Sequence, residues 1–195
     1  MPLPVAHSLV GATMVTLAMR RFEWKLDTTP LLVGALLGAI PDIDLLLSWW
    51  FNFGLRAHGT YTHSILFAVA AGAGVALIRN EQKPRAVAGY VGAALSHGLL
   101  DAMTKDQFGG AALLWPFSRH HFRLGLIANY DFYPNPQVQS LFTMFVQAMP
   151  YLVKEFQIYL PLLMIALIYR TWPRLNEFDL RDGRSTKPES RNNKK

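Results

Sequence analysis

The chain has 195 residues, of which 51% are hydrophobic and 16% charged, and a net charge of +6. That length holds one domain with a tail, and the composition excludes intrinsic disorder, which requires low hydrophobicity and high charge. There is no cysteine, which excludes a disulfide scaffold and thiolate sites, so any divalent metal must be held by His and carboxylate.

Five apolar runs follow one another: Leu3 to Met19, Leu31 to Phe53, Ser64 to Ile78, Ala86 to Thr104, and Val138 to Tyr169 broken by Pro150. A spanning helix needs about 20 apolar residues. Several of these runs are shorter or contain acids, so the bundle they predict is shallow, tilted or partly interfacial. A soluble helical core would use similar runs. Two features favour lipid. Trp49, Trp50, Phe51 and Phe53 end the second run like an interfacial belt, and the small-residue strings at 68–76 and 88–94 suit close packing of helices in a membrane. The predicted fold is an all-α integral membrane bundle of four to five helices over residues 1–170, with a disordered basic tail over 171–195.

Loop charges predict the orientation. Five alternating crossings put Arg20, Arg21 and Lys25, then Arg79, Lys83 and Arg85, then the tail, on one side. The positive-inside rule makes that side cytoplasmic. The tail from Arg170 onward supplies four of the six net positive charges, and reads as a cytoplasmic anchor in preference to a nucleic-acid-binding arm. The other side receives the N-terminus, the 54–62 loop and the 105–137 segment, with only Arg56, Lys105, Arg119 and Arg123 as basic residues. No basic region precedes the first run, which argues against a cleaved signal peptide.

Ionisable groups inside such runs cost about 2.5–3.5 kcal/mol each on insertion scales and mark function by default. In GALLGAIPDIDLLL, Pro41 breaks the second run just before Asp42 and Asp44. A regular helix splays residues two apart by about 200°, so both carboxylates face one cation only on an irregular turn. The bland reading is a capping aspartate. Next, AHGTYTHSILF places His58 and His63 at the entry of the third run. In ALSHGLLDAMT, His97 and Asp101 are four apart and share a helix face at about 5–6 Å. That spacing gives two ligands to one metal, or lets an aspartate orient a ligating imidazole. A helix salt bridge is the usual alternative, and it fits poorly in an otherwise uncharged stretch. His7, in VAHSLVGA, reads by itself as a hydrogen-bonded core histidine. In the predicted topology His7, His58, His63, His97 and Asp101 fall toward the non-cytoplasmic ends of their helices, with Asp42 and Asp44 deeper on the outward-going segment. Neutral imidazoles with carboxylates converging from four helices make a metal site in a bundle.

PDIDLL, the HxxxTHS pattern at 58–64, and SHxLLDxxT followed by Gly-Gly and LLWPFS resemble, in this order over roughly residues 5–125, the YdjM-like family of bacterial inner-membrane metal-dependent hydrolases. The resemblance implies metal binding or catalysis at His7, Asp42, Asp44, His58, His63, His97 and Asp101. A more distant likeness is to zinc-dependent phospholipase C and the related single-strand nucleases. The chain departs from those in lacking a second HxxxE helix, which favours one or two ions over three. It also has Gly59 where relatives often carry Arg after the first His of the 58–63 motif.

These readings predict a membrane-bound metal-dependent hydrolase of a phosphoester, with a membrane lipid as the expected substrate. Asp42, His63, His97 and Asp101 are the leading ligands and His7 a further one. Asp44 and His58 are the candidates for catalysis. Zinc is the first choice of ion, with Mn or Mg as alternatives. Arg119, His120, His121 and Arg123 either grip a phosphate or form a basic-aromatic loop against anionic lipid. The rival class is a non-enzymatic membrane protein, a metal or ion carrier or a regulatory anchor for a cytosolic partner. A carrier needs polar groups at successive depths, which the cytoplasmic halves of these runs lack.

Overall fold

The computed structural model describes residues 2–19, 28–44, 58–104, 110–127 and 141–182; within the last segment, the side chains of 141, 142, 144 and 171–182 lie outside that description. The described residues form five α-helices and one 3-10 turn: α1 Pro4–Ala18, α2 Thr29–Ala39, the turn Ile40–Asp42, α3 Ile65–Ile78, α4 Pro84–Met103 and α5 Leu141–Asp182. The expected all-helical class is observed. The aromatic cluster at 49–53 and the charges Arg20, Arg21, Lys25, Arg56 and Lys105 lie outside the described residues.

Local chemistry sets the helix starts. Helices α1, α2 and α4 open with a proline in the first turn, where its missing N–H breaks no helical bond. Helix α3 opens at Ser64, whose Oγ accepts from the Phe67 N–H at 3.1 Å, a side-chain cap. Pro41 ends α2 by tightening the chain into the 3-10 turn that carries Asp42.

One expectation about the last run needs correction. Helix α5 passes through Pro150 without interruption and continues to Asp182. Proline is tolerated inside membrane helices because neighbouring groups can satisfy the carbonyl it frees. The helical backbone of α5 includes residues 171–182, and residues 183–195 of the expected tail lie outside the described residues. Extending an existing helix adds one bond per residue without a new nucleation cost. Among the described residues, Phe145–Arg170 is the one helical stretch long and apolar enough to cross a membrane, while Pro4–Ala18, Thr29–Asp42 and Ile65–Ile78 are shorter apolar helices.

Glycine lets the helices approach until backbones touch. A Cβ on Gly38 would overlap the His7 carbonyl oxygen, one on Gly11 the Gly34 carbonyl, and one on Gly98 the His63 carbonyl. The first two contacts run α2 antiparallel to α1, and α4 does likewise, with Gly89 against Ala18 near one end and His97 on His7 near the other. Val15, Leu37 and Tyr90 fill the centre among Ala68, Ala76, Ala86, Ala93 and Ala94. The outer faces remain apolar: Leu32 and Leu36 on α2, Leu66 and Leu77 on α3, and Ile165 and Ile168 on α5 are all exposed. A surface of that kind marks contact with lipid or with another protein.

The antiparallel order gathers the start of α1, the end of α2 with its 3-10 turn, the start of α3 and the end of α4 at one end of the bundle. The α3–α4 connection lies at the opposite end, where Arg79 pairs with Glu81 at 2.7 Å. The 110–127 segment closes over the first end. Leu124 and Leu126 donate to the carbonyls of Ala102 and Met103 at 2.7 and 2.8 Å, and Ala112 donates to Gly59 at 2.7 Å.

Candidate metal centre

Seven of the residues singled out above meet at that end. His7 comes from the second turn of α1, Asp42 from the 3-10 turn, and Asp44 from just beyond it. His58 and His63 come from the turn before α3, and His97 and Asp101 from one face of α4. All are withdrawn from solvent; Asp44, Asp42 and His58 are the least so, with side chains 12%, 10% and 9% exposed.

The distances are those of ligand atoms that can share one ion. His63 Nε2 lies 3.1 Å from Asp101 Oδ2. His97 Nε2 lies 3.4 Å from both Asp101 Oδ2 and Asp42 Oδ1, and 3.0 Å from His63 Nε2. His7 Nε2 lies 3.5 Å from Asp101 Oδ1, and its ring stacks on that of His97 with centroids 3.7 Å apart. Two atoms each about 2.1 Å from one zinc ion at the tetrahedral angle stand about 3.4 Å apart. Three triads, His7/Asp42/His97, Asp42/His58/His63 and His63/His97/Asp101, each keep their ligand atoms within 4.8 Å of one another and could hold a metal ion.

The outer hydrogen bonds set the tautomers. His97 Nδ1 donates to the Gly38 carbonyl at 2.7 Å, so its neutral ring turns a lone pair at Nε2 toward the carboxylates. The Thr62 hydroxyl spends its hydrogen on Asp44 Oδ2 at 2.8 Å and therefore accepts from His63 Nδ1, 3.0 Å away. His63 Nε2 then also carries a lone pair. Two lone pairs and two carboxylates facing each other in a buried space repel unless a cation lies between them. Both oxygens of Asp42, Oδ1 of Asp101 and both ring nitrogens of His7 are buried without a hydrogen-bond partner, which a native interior rarely tolerates. A proton on His97 would relieve one contact and leave the remaining orphans; a divalent ion would engage the carboxylate oxygens and one ring nitrogen of His7 together. The donor set fits a metal, and the bonds from Gly38 and Thr62 are of the kind that orient ligating imidazoles.

Asp44 sits between the cluster and the surface. Its Oδ1 accepts from His58 Nδ1 at 2.8 Å, and its Oδ2 is 3.6 Å from His63 Nδ1. Arg119, His120 and Arg123 are exposed on the 110–127 segment, and His121 is half-buried there. They border the cluster's end of the molecule and do not enter it. The His121 ring lies beside the His58 turn, where its Cδ2 would be 3.7 Å from a Cβ on Gly59.

Gly59 has a structural reason of its own. Its φ is +78°, and a Cβ would stand 2.6 Å from the Gly110 carbonyl oxygen, so neither arginine nor any other side chain fits this backbone. Gly59→Ala is expected to cost about 2–3 kcal/mol from left-handed strain and crowding. That corresponds to roughly 4–12 °C in melting temperature. A thermal melt of the detergent-solubilised variant checks it, and an unshifted midpoint would contradict the account.

Sequence reasoning passed over three contributors. Thr62 lay inside a quoted motif without a role. Gly38 acts through its carbonyl, which leaves no signature. Glu155 is the single acid of the last apolar run, a signal that was present.

No curated protein and no solved structure matches the chain. A family model described as YdjM inner membrane protein matches residues 1–174, a span that includes all seven clustered side chains and nine-tenths of the sequence. The chain belongs to the YdjM inner membrane protein family.

Proposed function

We propose that the chain is a multi-pass inner-membrane hydrolase that uses one or two divalent ions, zinc foremost, to cleave a phosphoester of a membrane lipid, with the site turned away from the cytoplasm. The supporting observation is the set of buried, unpartnered atoms of His7, Asp42 and Asp101 beside His63 and His97, whose outer hydrogen bonds turn their Nε2 lone pairs toward the same space. His7, Asp42, His63, His97 and Asp101 would hold the metal. A divalent ion bound there supplies Lewis acidity, bringing water toward ionisation near neutral pH and drawing electrons from a scissile ester.

The chain's own groups supply the rest. Asp44 and His58 are hydrogen-bonded to each other at the more open side of the cluster. On this proposal the pair would take the proton of the attacking water. Arg119 and Arg123 at the rim offer planar donor forks that match phosphate oxygens. The apolar outer faces of α2, α3 and α5 support immersion in lipid, where a lipid ester is the substrate at hand.

The test is elemental analysis of the detergent-purified protein together with turnover of a panel of phospholipids and simple phosphodiesters. Bound metal and metal-dependent hydrolysis are expected, with Asp44→Asn lowering kcat about 100-fold or more while metal content holds. Metal without hydrolysis of any phosphoester would leave a metal-binding membrane protein of the carrier or anchor kind. Protein that takes up no divalent ion would sink the hydrolase reading altogether.

A further inference from the structure

Glu155 lies within the Phe145–Arg170 stretch of α5 and is 2% exposed. Its carboxylate turns toward the start of α1. Oε1 accepts from the Leu3 N–H, and Oε2 accepts from the Ala6 N–H at 3.1 Å. Helix α1 needs this. Its N-cap residue is Leu3, which makes no side-chain cap bond, and the first-turn N–H groups of a helix lie outside its i→i−4 ladder. The Ala6 N–H is shared between Glu155 and the Leu3 carbonyl, each at 3.1 Å, and the Leu3 N–H goes to Glu155. A capping box satisfies the N-cap and N3 donors with two local side chains. Here one carboxylate serves both positions from another helix.

His7 follows directly after Ala6. The other three imidazoles of the cluster each have a nitrogen held by an outer group: His97 by Gly38, His63 by Thr62, His58 by Asp44. His7 has neither nitrogen held by a hydrogen bond. Its ring is placed by stacking on His97 and by the backbone that carries it. Whatever fixes the first turn of α1 therefore fixes His7.

Resting on the metal-centre reading above, we propose that Glu155 is the positioning residue for His7, holding its imidazole at ligating distance by capping α1 from α5. The side chain touches no ligand of the cluster and acts through the backbone of Leu3 and Ala6. Gln in its place keeps one acceptor and turns an N–H₂ against a backbone N–H. Asp keeps the charge and falls short by one methylene.

Cobalt(II) is the probe, because its visible spectrum reports the ligand set and its titration reports affinity without any turnover. Detergent-solubilised full-length protein is titrated as wild type, Glu155→Gln, Glu155→Asp, His7→Ala and the double variant His7→Ala/Glu155→Gln. Glu155→Gln is expected to weaken cobalt binding about tenfold or more, the scale of losing a group that orients a ligand, and to move the spectrum toward that of His7→Ala. The double variant should bind no more weakly than His7→Ala alone. A Glu155→Gln protein that binds like wild type, or a double variant in which the two losses multiply, overturns the proposal. If Glu155→Gln does not fold, Glu155→Asp carries the same expectations; failure of both to fold makes the cap purely structural and also overturns it. A wild type that binds no cobalt overturns the metal centre itself, an outcome distinct from the others.

Discussion

Asp101→Asn should weaken divalent-metal binding by at least about 100-fold and leave the melting temperature of the metal-free protein unchanged or higher. Asp101 is the hub of the cluster. Oδ2 stands 3.1 Å from His63 Nε2 and 3.4 Å from His97 Nε2, while Oδ1 stands 3.5 Å from His7 Nε2. Loss of an orienting neighbour already costs roughly 10–100-fold in metal affinity, so loss of a charged ligand belongs at or beyond the upper end. Stability should move the other way. Without an ion, Asp101 is a 4% exposed carboxylate among lone pairs, and a buried charge without a partner is costly. The amide has the same volume, no charge, and hydrogens to donate to those nitrogens. Competition with a chelator reads the first effect and melting in metal-free buffer reads the second. A variant that keeps its affinity, or loses affinity and fold together, would count against a metal role.

Gly38→Ala should act on the fold first. A Cβ there would overlap the His7 carbonyl oxygen and press on Gly11 Cα at 3.2 Å. Both obstacles are backbone, so no flexible tip can move aside, and α2 must shift away from α1. Overpacking of this kind costs about 1–3 kcal/mol and occasionally more. The upper end is expected here, or roughly 6–12 °C in melting temperature. The same shift draws the Gly38 carbonyl off His97 Nδ1, so metal affinity should fall as well. Gly74 is the control, because nothing lies within 4 Å of a Cβ built on it. If Gly74→Ala and Gly38→Ala melt alike, the backbone contact between α1 and α2 is not what holds this end together.

Much of this site is written in short spacings. The Asp42/Asp44 pair is legible because a proline immediately before the first acid forces the irregular turn that lets both carboxylates face inward. The His97/Asp101 pair is legible because four residues make one helical turn. His7 carries no spacing at all. A single histidine on an apolar helix looks like core until α1 is laid against α4, and only then does its ring stack on His97. Glu155 was hidden differently. Its partners are backbone N–H groups 149 residues away in the case of Ala6, and no sequence pattern names a backbone donor. The last helix shows the limit of local punctuation, since Pro150 would end a helix in water but does not end α5. Crossing number is the least legible property. Apolar runs show which residues avoid water, whereas α1 at 15 residues and α3 at 14 are too short to tell lipid from protein interior.

The join between Glu155 and α1 also works as a depth gauge. Glu155 is ten residues from Phe145 and fifteen from Arg170, the two ends of the spanning stretch. At about 1.5 Å per residue it lies roughly 15 Å from the nearer end, half the thickness of a hydrocarbon core of about 30 Å. With that stretch across the bilayer, the first turn of α1 begins near the midplane and the cluster of imidazoles and carboxylates begins with it. Short helices are then sufficient, because α1 covers about 22 Å and has only the thickness of one leaflet, about 15 Å, to travel. Under the function proposed above, a lipid ester would reach that depth sideways from the surrounding leaflet, and a water-soluble ester would have to descend from the surface.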